Sequence, residues 1–228
     1  MYSAPTDTPT RPPGARAALI AAALCVLSLL LLLLVSLEWG PLLTLDGDIA
    51  RTTHRWAVDE SGITRVSRIL TDWVWDPWMM RALCAVVVIR LALRGAWRPA
   101  LWLTGTCAVG SALQQGLKAA VDRPRPVWPD PVDSAHYAAF PSGHAMTAVL
   151  VCGLLLWVLH MHGARPALWR ACLVLAALSV VGVGVTRVWL GVHWASDVVG
   201  GWLLGALMVA LAIATYTYGP GKRTPDAT

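Results

Sequence analysis

Residues 17–37, AALIAAALCVLSLLLLLLVSL, form an apolar run that contains no charged side chain. A helix needs roughly 20 apolar residues to cross the hydrocarbon core of a bilayer, where lipid offers the backbone no hydrogen-bond partner. A cleaved secretory signal is the alternative, because Arg11 and Arg16 precede the run. The apolar part of such a signal is shorter, about 7 to 15 residues. The run therefore predicts a transmembrane helix that remains in the protein.

The composition extends this prediction to the whole chain. Hydrophobic residues make up 57% of the 228 residues and charged residues only 14%, which excludes both an ordinary soluble domain and a disordered chain. The net charge is +5, but no basic segment is interleaved with aromatic residues, so nucleic acid is not expected as a partner. The five cysteines lie singly in apolar stretches and predict neither a disulfide framework nor a zinc site: Cys25, Cys84, Cys107, Cys152 and Cys172.

Five further apolar stretches follow the first one. They cover residues 79–93, 99–118, 142–159, 167–188 and 195–216. The stretch at 79–93 is the weakest, since Arg81 and Arg90 must extend towards the lipid head groups if it is to span the bilayer. The predicted fold class is therefore all-α, an integral membrane bundle of six transmembrane helices.

The predicted domain organisation follows from these spans. Residues 17–218 form the six-span domain, and residues 38–77 within it form an outer loop with short amphipathic helices. Residues 1–16 and 219–228 are expected to be disordered tails. Arginines concentrate on the side of the two tails, which favours a cytoplasmic location for both termini. The preference for arginine over lysine and the abundant alanine suggest a GC-rich bacterial genome, and so a bacterial cell membrane.

Polar side chains stand at four consecutive span ends. Lys118 ends the third span, residues 141–144 (PSGH) open the fourth, Arg187 ends the fifth, and His193 to Asp197 open the sixth. Membrane helices that follow one another alternate in direction. These four sites are therefore predicted to lie at the same face of the membrane.

Positive charge is concentrated at this face by Lys118, Arg123, Arg125 and Arg187. Taken singly, such residues commonly anchor span ends, and Ser142 alone could be a helix cap. Together they match a phosphate group, because arginine forks bind phosphate oxygens and lysine adds a point charge. The amides at the start of the fourth span would point at the same anion.

Carboxylates in the loop between the third and fourth spans raise the question of a metal. Asp122, Asp130 and Asp133 flank prolines there, and we interpret them as solvated charges rather than magnesium ligands. Neither a metal nor a cofactor is therefore expected.

His193 and Asp197 are four residues apart, so on a helix they share one face. A carboxylate that accepts from Nδ1–H would fix the tautomer, leave Nε2 free to attack phosphorus and stabilise the imidazolium-like state that follows. His144 would then protonate the leaving alcohol and later take a proton from water. This pattern predicts covalent phosphoryl transfer through a histidine.

Three motifs occur in order: Lys118-x₆-Arg125-Pro126, then PSGH at residues 141–144, then Arg187-x₅-His193-x₃-Asp197. Their spacing resembles the three-part signature of the type 2 phosphatidic acid phosphatase family, which also includes soluble vanadium-dependent haloperoxidases. The apolar spans argue against the soluble relative.

The resemblance implies a role for each matching residue. It implies that His193 is the nucleophile that forms a phosphohistidine, Asp197 its orienting partner and His144 the acid/base. Arg123 lies outside the signature and is expected at most to add an auxiliary contact, while Thr186 stands where the family usually has serine and keeps the hydroxyl. The implied phosphate-binding residues are Lys118, Arg125, Ser142, Gly143 and Arg187.

The leading hypothesis is a metal-independent membrane phosphatase that hydrolyses lipid phosphate monoesters or diphosphates at the outer face. A lipid phosphotransferase, in which an alcohol instead of water resolves the phosphohistidine, would use the same residues and stays open. A phosphate or organic-anion transporter is less well supported, because transporters usually place such sites in mid-membrane. The sequence also leaves open whether the lipid is phosphatidate, phosphatidylglycerophosphate or a polyprenyl phosphate, and the oligomeric state.

Overall fold

The computed structural model describes residues 13–218, and every regular element in that range is helical. Of the predicted tail 1–16, the last residues already belong to the first helix, and the remainder, like residues 219–228, lies outside the described residues. A π-helical turn at Leu70–Val74 separates the third and fourth α-helices. The α-helices are α1 (Pro13–Ser36), α2 (Gly40–Asp59), α3 (Ser61–Ile69), α4 (Pro77–Leu93), α5 (Trp97–Val121), α6 (Gly143–Met161), α7 (Pro166–Trp189) and α8 (Ala195–Tyr218).

All six predicted spans coincide with helices, namely α1 and α4 to α8. Four of them are long and apolar enough to cross a membrane: Arg16–Ser36, Gly143–Met161, Pro166–Trp189 and Ala195–Thr217. The helices α4 and α5 are not in this group. The all-helical fold with several membrane spans is therefore confirmed, and the count of six spans stays a prediction.

Local sequence signals explain where α4 begins and α5 ends. Asp76 caps α4, accepting hydrogen bonds from the backbone N–H groups of Trp78 at 2.8 Å and Met79 at 3.3 Å, and Pro77 occupies the first turn. At the other end, α5 stops where Asp122 adopts the left-handed conformation with φ of 43°. The chain then enters the proline-rich loop 122–142 directly after the turn that carries Lys118.

The helix α6 lies at the centre of the bundle. One of its sides joins a core with α4, α5 and α7, in which Leu103, Val151 and Val183 are fully buried. The other side packs on α8, where Leu154 meets Leu204. By contrast, α1 packs along α8 and leaves most of its leucines exposed, as expected for a helix that faces lipid.

Two glycines let α8 approach α6 closely. A Cβ atom on Gly201 would lie 2.7 Å from the carbonyl oxygen of Ser142, and one on Gly205 would lie 2.8 Å from that of Met146. Small residues four apart are a common means of bringing membrane helices into backbone contact. The start of α8 is thereby fixed against the start of α6.

The predicted loop 38–77 contains α2, α3 and the π-helical turn. The inward side of α2 carries buried residues at helical spacing, Asp46, Ala50, His54 and Ala57, and α2 packs against α7 and α8. The segment is thus part of the helix bundle at the end where α8 begins. Its location on the outer side of the membrane stays a prediction.

Candidate active site

The structure brings the four predicted span ends together. His144, at the start of α6, lies within electrostatic reach of His193 and of the cations Lys118, Arg125 and Arg187. These residues come from α5, the loop after it, α6, α7 and the turn before α8. The predicted catalytic and cationic residues therefore share one pocket at one end of the bundle.

His193 is held in a defined orientation and is almost fully buried. Its Nδ1 atom lies 3.3 Å from Oδ2 of Asp197, and its Nε2 atom lies 3.1 Å from Nη1 of Arg125. Arginine can only donate, so Nε2 must accept and carry no proton. The single ring proton is then on Nδ1, where it is donated to Asp197.

Electrostatics favour the neutral form of this imidazole. Burial lowers the pKa of His193 well below its usual range, and the positive charges of Arg125, Arg187 and Lys118 lower it further. The neutral ring keeps a lone pair at Nε2, as a nucleophile requires.

Backbone carbonyls of the loop 122–142 and of the turn before α8 orient two of the cations. Arg125 donates from Nε to the carbonyl oxygen of Tyr137 at 2.8 Å and from Nη1 to that of Val192 at 2.5 Å. Lys118 donates to the carbonyl oxygen of Ala138. Burial lowers the pKa of the Arg125 guanidinium. These hydrogen bonds hold Arg125 on the Nε2 side of His193, opposite Asp197.

Two predicted phosphate-binding residues have buried polar atoms without a partner among the described residues. These atoms are Nε of Arg187 and the hydroxyl oxygen of Ser142. Arg187 is otherwise held by Thr71, whose hydroxyl accepts from Nη1 at 3.3 Å. Buried donors normally have partners, so these two groups fit an anion that brings its own acceptor oxygens.

Within the described residues, the backbone N–H groups of Gly143 and His144 at the start of α6 have no hydrogen-bond partner, whereas that of Ser142 donates to the carbonyl oxygen of Asp197 at 2.9 Å. Ser142 precedes α6, but its side chain makes no capping hydrogen bond, which contradicts the structural alternative that it is simply a helix cap. A Cβ atom on Gly143 would lie 2.5 Å from Nε2 of Gln114, so a larger residue would meet this buried amide. The first N–H groups of α6 therefore remain available to an anion.

Arg123 occupies a different place from the one expected. Its Nη1 donates to Oδ1 of Asp197 at 2.6 Å and its Nη2 to Oδ2 of Asp46 at 2.8 Å. It lies behind Asp197, so the expectation of an auxiliary phosphate contact is wrong, because both ends of its fork are bound by carboxylates. Sequence reasoning missed Asp46, whose only signal is its position on the inward face of α2.

The loop carboxylates are also more closely engaged than predicted. Oδ1 of Asp130 accepts from Nε2 of His54 at 3.1 Å, and this hydrogen bond lowers the pKa of Asp130. Asp133 is only 20% exposed and lies 4.0 Å from Arg187. The interpretation as a solvated charge therefore holds for Asp130, whose side chain is 62% exposed, and is wrong for Asp133. Within residues 13–218, no group of three or more His, Cys, Asp or Glu side chains is placed to hold a metal.

The C-terminal half of the chain is similar in sequence to a known protein family and to two characterised relatives. The profile of the PAP2 superfamily matches residues 99–219. Phosphatidylglycerophosphatase B of Bacillus subtilis (strain 168) is 36% identical over 102 residues, which cover 43% of this chain and 49% of that protein. Undecaprenyl-diphosphatase of Sulfolobus acidocaldarius is 33% identical over 95 residues, which cover 42% of this chain and 40% of that protein. The matches thus span about half the length of these relatives or less.

A solved structure has the same fold. It is the crystal structure of the first transmembrane PAP2 type phosphatidylglycerolphosphate phosphatase from Bacillus subtilis, with a TM-score of 0.67. The match covers 84% of this chain and 93% of that one at 24% sequence identity. Together with the four apolar helices described above, this transmembrane neighbour supports a multi-pass membrane protein.

Proposed function

The chain belongs to the PAP2 superfamily, and from that membership we propose that it is a membrane enzyme that hydrolyses lipid phosphates through a phosphohistidine intermediate. The main support for this proposal is the hydrogen bonding of the two ring nitrogens of His193 and the protonation state that it implies. Its Nδ1–H faces Asp197, and its unprotonated Nε2 faces Arg125, beside the other cations and the start of α6. A nucleophile, an orienting carboxylate and an anion pocket therefore meet at one point.

In the proposed first step, Nε2 of His193 attacks phosphorus and the bond from phosphorus to the lipid oxygen breaks. His144, in the protonated form that the bound anionic phosphate stabilises, gives a proton to the leaving oxygen and becomes neutral. The hydrogen bond from Nδ1–H to Asp197 stabilises the positive charge that the ring acquires. Arg125 must move its N–H from Nε2 to a phosphoryl oxygen, which couples substrate binding to release of the nucleophile.

In the second step, His144 takes a proton from water while the water oxygen attacks phosphorus. The bond between phosphorus and nitrogen breaks, and its electron pair returns to His193. Inorganic phosphate leaves with the oxygen of water, and both histidines regain their starting states. Throughout, the charge on the phosphoryl oxygens is stabilised by Lys118, Arg187 and the Ser142 hydroxyl.

The position of the pocket at helix ends supports a lipid substrate. A lipid can keep its chains in the bilayer while its phosphate reaches the cations, and we propose six spans with the pocket on the outer face. The two relatives are named for phosphatidylglycerophosphate and undecaprenyl diphosphate. We propose these two lipids and phosphatidate as the substrates to compare, because all three present a terminal phosphate.

The test is phosphate release by the purified protein from each of these lipids in excess EDTA, followed by acid or base quenching. We expect release without added metal and a phosphoenzyme that is labile to acid and stable to base. His193→Ala should abolish both, whereas the exposed His136→Ala should retain both. Full turnover by His193→Ala would refute the mechanism. Parallel reactions with an acceptor alcohol separate hydrolysis from phosphotransfer, since only the latter yields a new phosphate ester.

A further inference from the structure

A row of four buried side chains connects α2 to the candidate nucleophile. Asp46 binds Arg123 at 2.8 Å, Arg123 binds Asp197 at 2.6 Å, and Asp197 lies 3.3 Å from His193. None of the four is more than 8% exposed. The row therefore runs through the protein interior, shielded from water and salt.

Ser196 closes this network around Asp46. Its backbone N–H donates to Oδ1 of Asp46 at 2.9 Å, and its hydroxyl donates to Oδ2. The same hydroxyl accepts from Nη1 of Arg123 at 2.7 Å. Both oxygens of Asp46 are thus engaged, and α2 is bonded directly to the first turn of α8, which carries Asp197.

The alternation of charge along the row has an electrostatic consequence. Buried charges interact strongly because little solvent screens them. Arg123 divides its positive charge between two carboxylates, so Asp197 retains negative potential at Nδ1 of His193. If Asp46 were neutral, the whole positive charge of Arg123 would act on Asp197 and reduce its negative potential at Nδ1 of His193. The ring would then be less stabilised when it becomes positively charged in the reaction.

We infer that Asp46 is a positioning residue for the reaction, acting through Arg123 on Asp197 and so on His193. This inference rests on the proposed function. Asp46 also lies on α2, outside residues 99–219 that match the family profile. The helix α2 therefore contributes a functional residue to the active site.

The first experiment compares Asp46→Asn with Asp48→Asn. The asparagine keeps the shape and an acceptor oxygen but removes the charge. Asp48 is the matched control, because it lies on the same helix, is 63% exposed and, among residues 13–218, pairs only with Arg51 one turn further on. We expect Asp46→Asn to lower kcat by about 10- to 100-fold, the range seen when outer partners of functional histidines in metal sites are removed, with KM changed less than about threefold. Asp48→Asn should match the wild type.

A double-mutant cycle separates positioning from general destabilisation. If Asp46 acts through Asp197, Asp46→Asn should cost little further activity in an Asp197→Asn background, because the same contribution is already lost. Additive losses would instead overturn the inference. Arg123→Lys provides a second route should Asp46→Asn fail to fold: it keeps the charge but cannot bridge both carboxylates, and we expect a loss of kcat of similar size; wild-type kcat in Arg123→Lys would overturn the inference.

The two proposals fail in different ways. A wild-type protein that releases no phosphate from any lipid phosphate refutes the proposed function, and the inference falls with it. An active wild type with an equally active Asp46→Asn variant refutes the inference alone.

Discussion

At the scale of single residues, the buried hydroxyl of Ser142 is costly to the fold, and its proposed role is to bind the substrate phosphate. Its buried hydroxyl has no partner within the described residues, so it contributes nothing to stability that would offset its burial. In Ser142→Ala the midpoint of thermal unfolding in detergent should be unchanged or slightly raised. The kcat/KM for phosphate release should fall roughly tenfold or more, since a hydrogen bond to a charged group contributes about 1.5–3 kcal/mol.

Ser28→Ala is the matched control for this prediction. Ser28 on α1 also has a buried hydroxyl without a partner in the described part of the chain, but it lies far from the pocket in sequence and on the helix that packs along α8. Ser28→Ala should resemble Ser142→Ala in stability and the wild type in activity. Equal activity of all three proteins would show that Ser142 does not bind substrate.

The lowered pKa of His193 predicts a dependence of stability on pH. The unfolded chain takes up a proton near the usual histidine pKa of about 6.5, whereas the folded chain resists protonation down to its lower pKa. The stability linked to this ring is therefore complete above about pH 6.5 and is lost as the pH falls. The wild type should lose stability relative to His193→Asn between pH 7 and 5, by at most about 1.4 kcal/mol per unit.

Thermal unfolding of both proteins across this pH range checks the prediction. The comparison isolates His193, because acid-linked changes elsewhere occur in both proteins. Parallel curves for the wild type and His193→Asn would contradict a depressed pKa at this position.

The sequence alone predicts contacts between site residues that are close together in the chain. The four-residue spacing of His193 and Asp197 predicts their contact from helix geometry alone, and the structure has it. The contact of Asp46 with Arg123 joins residues 77 positions apart, and no local rule predicts such a pair. Charge alone therefore groups Arg123 with the phosphate-binding cations, whereas its partners in the structure are carboxylates on α2 and α8.

At the scale of helices, the contact between α6 and α8 controls the site. Gly201→Ala would place a methyl group against the backbone of Ser142, and rigid backbone cannot move aside as a flexible side chain can. We expect a loss of about 1–3 kcal/mol of stability and a lower kcat, because a displaced α8 would move Asp197, and His193 in the turn before it, away from α6. Thermal unfolding and phosphate release would be measured together.

Gly105→Ala on α5 is the control for this substitution. A Cβ atom there meets no heavy atom within 4 Å, and alanine favours a helix over glycine by about 0.5–1 kcal/mol. Gly105→Ala should therefore be as stable as the wild type or more so, with unchanged activity. If Gly201→Ala behaved in the same way, close packing of α8 on α6 would not position the site.

Hydropathy predicted the long apolar helices well and α2 poorly. Long runs without charge identify α1, α6, α7 and α8, because only a helix satisfies their backbone in lipid. In α2 the inward residues alternate with exposed charged residues such as Asp48 and Arg51. This pattern predicts only short amphipathic helices at the surface. The true length of α2 and its docking depend on contacts with α7 and α8 that no single segment reveals.

At the scale of the whole molecule, the alternation of helix directions predicts which loops share a face, and the arginines on the side of the two tails, together with the family resemblance, predict which face is outside. The loop 122–142 should face outwards, and the connection between α6 and α7 should face the cytoplasm. Single cysteines would be introduced at the exposed Ser134 and Arg165, after alanine replaces the five native cysteines. In intact cells, an impermeant maleimide should label Ser134→Cys at once and Arg165→Cys only after permeabilisation.

The reverse labelling pattern would place the pocket on the cytoplasmic side and leave its chemistry unchanged. Labelling of both positions from one side would contradict the alternation of α6 with its neighbours. In that case, the grouping of four helix ends at one membrane face could not persist in the cell.

The guanidinium that rests on Nε2 of His193 has a consequence for inhibitor design. While it stays there, the lone pair of His193 is shielded from a simple electrophile that diffuses into the pocket. A compound that combines a phosphate mimic with an electrophile would engage Arg125 with the first part and thereby uncover the histidine for the second. Selective covalent modification of His193 is therefore expected to require both functions in one molecule.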